Sequence, residues 1–461
     1  MSIIFDQSFQ SLRWWQERYL ALVIFLWPWQ ARWIFWSELL GQGTSEYVTL
    51  SVYAVDVLMI VAVLWMYPQV SWRVHRWRSL LVVGSYLWLV SLITGNPLVA
   101  GWKLLTVVLV VAFTLVVVQV GDRELALKSF VVAAVGQSLL AIWQFGAQTV
   151  AGGTLLGMSS QTLLTPGVSL IATSTGRWLR AYGSLPHPNI LGGFLALALL
   201  LTIDQYFSIY ENFQQWWSSR GVATKRLWRE PIVRRTGLAL SLTLAVFVIM
   251  LAGLLVSLSR SAALAMLLAG VVYLAQKYYQ NRIRATVLTA KLLIFTLAVL
   301  VVWQTLLPDL WTTRLQLAGR IEAQSRAERI VGYEDALQIA ARHAFLGTGL
   351  QNYAVALAEL HPHEPSYLYQ PIHNIWLLLA IELGFVGLVV VGMVFWPFIK
   401  KFGTHLLDEA APVGVAAIVL VSTLGVFDHY LASLHPGLLL WVIVTLAAVG
   451  RSSNQHVAMR S

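Results

Sequence analysis

The sequence contains no cysteine and few charged residues. Without cysteine the chain can form no disulfide, attach no haem through thioethers and use no thiol nucleophile. Only 11% of its 461 residues are charged, against roughly 25% in an average soluble domain, and 58% are hydrophobic. Apolar stretches of roughly 20 residues, long enough to cross a bilayer as helices, recur along the chain. We therefore predict an all-α polytopic membrane protein.

Common catalytic motifs are also missing. The sequence has no P-loop, no G-x-S-x-G elbow and no H-E-x-x-H pair. In "HPHEP", the spacing of His361, His363 and Glu364 fits no strong zinc pattern. The sequence therefore predicts neither a metal nor a cofactor.

About twelve apolar stretches predict membrane spans in one integrated membrane domain. About nine lie in residues 1–307 and about three in residues 373–461. The intervening segment, 308–372, is too long for a simple connector and predicts a partly helical loop. The first span is weakened by Gln30 and Arg32. The predicted spans are 20–36, 48–66, 79–94, 98–118, 125–150, 189–207, 237–256, 261–278, 286–307, 375–398, 411–427 and 436–450.

Lysine and arginine concentrate in alternate connections. About 20 of the 31 basic residues share one side of the membrane if the N-terminus is cytoplasmic, including those of 220–235 and the pair Lys400 and Lys401. This bias predicts both termini in the cytoplasm, and segments 151–188, 257–261 and 308–372 outside. We interpret the net charge of +10 mainly as a result of this bias in the cytoplasmic connections. It therefore does not lead us to predict a nucleic-acid partner.

Polar residues stand directly before a span in "GRWLRAYGSLPHPN", residues 176–189. Charge beside hydrocarbon is costly and is a functional hypothesis by default. We predict that Arg180 binds an anionic ligand, because a guanidinium and an exposed helix start both suit phosphate. Arg177, His187 and Asn189 are further candidates, although interfacial anchoring explains Arg177 and a helix cap explains His187.

Two further groups fall at outer ends of spans. In "SLSRSAALAML", Arg260 lies between two apolar helices. Ser259 beside it is a candidate for substrate binding, and the alternative is that it caps the second helix. In "YQPIHNIWLLLAIELG", His373 begins a span and has a side chain suited to general-base chemistry at neutral pH. Asn374 and Glu382 are candidates beside it, with a helix cap and a buried, paired carboxylate as the alternatives.

The long outer segment carries several arginines, of which Arg329 is a candidate for substrate binding. "AERIVGYEDALQIAARHAF", residues 327–345, places Ile330, Leu337, Ala341 and Ala344 at helical spacing. We predict a helix here, ended by the glycines of "LGTGLQN".

Taken in order, these pieces resemble the O-antigen ligase family, or Wzy-C superfamily. They are the "R…G…HPN" group, "SRS", the long outer loop with "HAFLGTGLQNY", and "HN…ELG". The resemblance implies a GT-C-like membrane glycosyltransferase that works on the extracytoplasmic side of the inner membrane without metal. It implies a donor glycan on undecaprenyl pyrophosphate, bound by Arg180 and Arg260, with His373 serving the acceptor hydroxyl.

The acceptor is left open by the sequence. A ligase would use a glycolipid or a protein, whereas a polymerase of the same family would use a growing O-antigen or exopolysaccharide chain. A small-anion transporter of the bicarbonate type is the alternative from another class. Paired interrupted helices at the bilayer midplane would favour it, and the sequence shows no such pair.

Overall fold

The computed structural model describes residues 2–72, 74–219, 230–316, 320–408 and 411–449. Within these ranges the chain forms sixteen α-helices and four β-strands. The first half contains α1 (Ser2–Phe25), β1 (Arg32–Leu40), β2 (Gly43–Tyr53), α2 (Ala54–Met66), α3 (Val74–Thr94), α4 (Pro97–Val120), α5 (Arg123–Ala147), β3 (Leu170–Ala172), β4 (Arg177–Leu179) and α6 (Pro188–Ser218). The second half contains α7 (Pro231–Ser257), α8 (Arg260–Gln280), α9 (Arg282–Leu306), α10 (Pro308–Gln316), α11 (Arg320–Arg342), α12 (Tyr353–Leu360), α13 (Ile375–Asp408), α14 (Pro412–Phe427), α15 (Tyr430–Ser433) and α16 (His435–Ala448).

The helical membrane class is confirmed in its main features. Seven of the described helices, α4 to α9 and α13, are long and apolar enough to cross a membrane. Shorter apolar helices lie within 54–69, 81–94, 412–427 and 435–448. The figure of twelve spans and the GT-C-like architecture stay predictions.

The first two predicted spans are wrong in their limits. Helix α1 ends at Phe25, and residues 32–53 form an antiparallel hairpin of β1 and β2 instead of helix. Leu40 pairs with Gly43 across a two-residue turn, in which Gly41 has a φ of +57°. β-Branched and aromatic residues fill both strands, and a left-handed glycine is what such a turn requires. The strict all-α description is corrected accordingly.

Helix α6 forms the centre of the bundle, because 89% of its apolar window is buried, against 17% for α9. Two glycines in its second turn allow neighbouring residues to approach closely. A Cβ on Gly192 would lie 2.7 Å from the Ser259 Cβ, and one on Gly193 would lie 1.9 Å from the Tyr430 hydroxyl. The start of α6 is thereby brought next to α8 and α15.

The three segments predicted to lie outside meet at one end of the bundle, called here the site end. The backbone N–H of Ala181 donates to the carbonyl of Val256 at 3.2 Å, which joins the 148–187 loop to the end of α7. Helix α11 packs against β3. At the opposite end, the Arg123 side chain donates to the carbonyl of Leu446. Much of the basic cluster that supports the orientation lies outside the described residues, namely Arg220, Lys225, Arg226 and Arg229.

Helix α13 is broken at Gly384, which has a φ of 61° and a ψ of −179°. The turn that follows α11 fills the break. The amide of Gly349 donates to the carbonyl of Glu382 at 3.1 Å, and that of Phe385 donates to Ala344 at 2.9 Å. The long outer segment is therefore hydrogen-bonded into the span that begins beside His373.

Candidate active site

Arg180 is held from three sides at the site end and is 9% exposed. Its guanidinium donates to the Ser169 hydroxyl at 2.9 Å, the Ser257 carbonyl at 2.9 Å and the Asn189 side-chain oxygen at 2.7 Å. These partners come from the 148–187 loop, the end of α7 and the start of α6. A rigid guanidinium of this kind can neutralise a phosphate without first being ordered.

Arg260 lies three residues after Ser257, the residue whose carbonyl accepts from Arg180. It is the first residue of α8, and its side chain is exposed. Ser259 is the helix cap, since its hydroxyl accepts from the Ala262 amide at 3.4 Å. Three Cα–Cα steps of 3.8 Å cover at most about 11 Å. The Cα atom of Arg260 therefore lies within about 11 Å of the Cα atom of Ser257, whose carbonyl holds Arg180.

His187 and Asn189 link Arg180 to a second group of side chains. His187 caps α6, and its Nδ1 accepts from the Asn189 amide at 3.1 Å. The Asn189 side chain accepts from Arg180 with its oxygen and donates to Asp428 with its nitrogen, the latter at 2.9 Å. Asn189 is therefore a bridge between Arg180 and Asp428.

His373 lies beside Asp428, with 3.5 Å between its Nδ1 and the Asp428 Oδ1. The His373 side chain is 34% exposed, whereas that of Asp428 is 6% exposed. Asn374 caps α13 by accepting from the amides of Trp376 and Leu377. A histidine open on one side and backed by a buried carboxylate can take up a proton and have the resulting charge stabilised.

Asp428 and His429 form the part of the cluster that sequence reasoning missed. They interrupt two apolar runs in "GVFDHYLASLHPG", and an ionisable pair between spans is itself a functional signal. The His429 amide donates to Asp428 at 2.9 Å, and its Nδ1 lies 2.6 Å from the Ser433 hydroxyl. The ring also meets Tyr47 edge-on, at a centroid distance of 5.5 Å.

The cluster is electrostatically uneven. Burial lowers the pKa of His429 to about 3, and burial together with the Arg180 charge lowers the pKa of His187 to about 3. Burial by itself would raise the pKa of Asp428, but the neighbouring His373 holds it well below its ordinary value. At neutral pH His187 and His429 are therefore uncharged, and Asp428 is a carboxylate.

A cavity of about 390 Å³ opens onto this cluster. His187, His373, Asp428 and His429 line one side, and the hairpin and residues 150–161 supply other walls. The cavity size falls within the range usual for small-molecule sites.

Eight of the predicted site residues are not among those that line the cavity, namely Arg177, Arg180, Asn189, Ser259, Arg260, Arg329, Asn374 and Glu382. Arg177 on β4 and Arg329 on α11 are exposed. Glu382 is 5% exposed and interacts with the backbone amides of Gln351 and Tyr353. Its carboxylate thus holds the turn that follows α11. Their proposed contacts with substrate stay predictions.

A metal ion is sterically possible in the cluster. The ligand atoms of His373, Asp428 and His429 lie within 4.8 Å of one another. One nitrogen of His429 already contacts Ser433, and both Asp428 oxygens accept hydrogen bonds. The predicted independence of metal stays a prediction.

Helix α11, the turn that follows it and the start of α13 beside His373 all belong to one stretch of the chain. Residues 245–392 match the O-antigen ligase family. This confirms the resemblance for that segment, which includes Ser259, Arg260, Arg329, His373 and Glu382. No curated protein and no solved structure gives a significant match. The O-antigen ligase match supports a glycan-transferring role of the ligase or polymerase type in an integral membrane protein.

Proposed function

We propose that the protein is an O-antigen-ligase-like glycosyltransferase of the inner membrane, with its site on the extracytoplasmic side. It moves a glycan from undecaprenyl pyrophosphate to an acceptor hydroxyl without metal. The observation that carries the proposal is the hydrogen-bond chain from Arg180 through Asn189 to Asp428, which ends 3.5 Å from His373.

The reaction divides between the two ends of this chain. His373 removes the proton of the acceptor hydroxyl, and the oxygen attacks the anomeric carbon of the donor sugar. The bond from that carbon to the pyrophosphate oxygen breaks, and its electron pair leaves with the polyprenyl pyrophosphate. Arg180 and Arg260 neutralise the charge that develops on this leaving group. Asp428 stabilises the protonated His373.

The test is reconstitution of the full chain in lipid with a polyprenyl-pyrophosphate-linked glycan. Three acceptors are offered separately: a lipid A core glycolipid, a second copy of the lipid-linked glycan, and a peptide with serine and threonine hydroxyls. Transfer to any of them supports the proposal, and the product identifies ligase or polymerase activity. If the protein transfers glycan to none of the three acceptors and does not release it to water, the proposal is refuted.

Arg260→Ala supplies the residue-level test. Because one transition-state contact of this type contributes a few kcal/mol, we expect transfer to fall about 10²-fold or more. Arg235→Ala, an exposed arginine on α7, is the matched control and should keep wild-type transfer. Equal activity in the two variants would remove Arg260 from the donor site.

A further inference from the structure

The cavity beside His373 has a second wall, made by the hairpin and by Gln30, which lies two residues before the first strand. Gln30, Arg32, Glu46 and Tyr53 line it. This wall lies outside residues 245–392, so the family match assigns it no role.

Gln30 is a buried amide without a hydrogen-bond partner in the part of the chain that the structure describes. It is 5% exposed, and neither its side-chain nitrogen nor its oxygen is paired. The 150–161 segment covers it, since the Trp29 indole donates to the Leu155 carbonyl at 2.6 Å. Leaving a buried polar group unpaired is costly, which is why a buried amide at a cavity points to a polar ligand.

Tyr430 provides a second group of this kind. This residue also lines the cavity and is 2% exposed, and its buried hydroxyl has no hydrogen-bond partner among the described residues. Two residues of the cavity wall therefore carry a buried polar group that has no partner among the described residues, an amide on Gln30 and a hydroxyl on Tyr430.

The charges on this wall cancel. Arg32 binds the Glu46 carboxylate with both terminal nitrogens, one contact being 2.7 Å, and donates to the Tyr53 hydroxyl at 3.0 Å. A paired arginine and glutamate keep free lone pairs for hydrogen bonding but present no net charge. The wall thus suits a neutral ligand with several hydroxyls rather than an anion.

We propose that this wall is the acceptor subsite and that it binds a neutral sugar ring, through Gln30, Glu46 and Tyr430, with one hydroxyl directed at His373. The inference rests on the proposed function and narrows it, because it makes the acceptor a carbohydrate. The hairpin is then an acceptor-binding element, and Arg180 and Arg260 bind the donor.

The test uses the reconstituted full chain, the same lipid-linked donor and a glycan acceptor that wild type accepts. Transfer to the acceptor and release of glycan to water are measured in parallel. Gln30→Ala should raise the acceptor KM about 5- to 50-fold, because two hydrogen bonds are lost. Release to water should stay at the wild-type rate, because donor binding is untouched.

Gln42→Ala is the matched control, since Gln42 lies at the hairpin turn and donates to the His363 carbonyl away from the cavity. It should keep the wild-type acceptor KM. Tyr430→Phe keeps the packed ring and should also raise the acceptor KM. It provides a second test if the Gln30→Ala variant does not fold.

The outcomes separate the two proposals. If wild type transfers glycan and both cavity variants match Gln42→Ala, the subsite is wrong and the glycosyltransferase stands. If wild type accepts only the peptide, the carbohydrate subsite is also wrong. If wild type neither transfers nor releases glycan, the proposed function fails, and the subsite fails with it.

Discussion

Asp428 contacts both Asn189, which binds Arg180, and His373. It is buried, accepts from Asn189 and lies 3.5 Å from His373. Asp428→Asn preserves the shape but removes the charge that would stabilise a protonated His373. We expect the rate of transfer to fall about 10²- to 10⁴-fold with little change in donor KM. Steady-state kinetics with the reconstituted protein measures both the rate and the donor KM. A wild-type rate in the variant would show that Asp428 does not assist His373.

Half-buried His187 and buried His429 predict how stability depends on pH. Their pKa values of about 3 in the folded protein lie below the ordinary value of 6.5, so the unfolded chain binds protons that the folded chain does not. The melting temperature in detergent should therefore fall as the pH drops from about 6.5 towards 3. His429→Gln should flatten this decline, whereas substitution of the exposed His363 by Gln should not. An unchanged slope in His429→Gln would contradict the electrostatic account.

Part of the site could be predicted from isolated residues. Arg180, Arg260 and His373 stand out because each interrupts apolar sequence, and an ordered motif set relates them. Asp428 also interrupts apolar sequence, but no motif along the chain relates it to Asn189 and His373, the residues that it contacts. A long-range hydrogen bond leaves no periodic signal along the chain.

At the scale of elements, the break in α13 is specified by glycine chemistry. A Cβ on Gly384 would lie 2.2 Å from the Gly347 nitrogen, and its φ and ψ are accessible to glycine almost alone. Gly384→Ala should destabilise the protein by about 1–3 kcal/mol from the backbone alone, with the clash added. Gly392→Ala in the same helix meets nothing within 4 Å and is the control. Thermal unfolding compares them, and equal melting temperatures would argue against the observed packing.

The hairpin shows why element type could not be assigned from apolarity. Its strands combine Trp, Phe, Val and Tyr with a few polar residues, so a window average cannot distinguish them from a span. Alternation in "GTSEYVTLSVY" and the Gly41 turn were the available signals. By contrast, the spans from α4 to α9 were predicted within a few residues where apolar runs had clear polar ends, although α6 and α7 extend further than predicted.

For the whole molecule, orientation in the membrane is a testable prediction. Because the natural sequence has no cysteine, single cysteines can be introduced without a background. Leu164→Cys, in the 148–187 loop and 91% exposed, should react with a membrane-impermeant maleimide in spheroplasts. Tyr279→Cys, 89% exposed near the end of α8, should react only after permeabilisation. The reverse pattern would invert the topology and place the site in the cytoplasm.

The arrangement of Arg180 makes donor and acceptor chemistry hard to separate by genetics. Its guanidinium is part of the network that holds Asn189 and, through it, Asp428. Substituting Arg180 would therefore disturb Asp428 and His373, which activate the acceptor, as well as binding of the donor. Double-mutant cycles between Arg180 and Asp428 would then give strongly non-additive losses. A screen for loss of acceptor use would therefore recover Arg180 variants together with Asp428 variants.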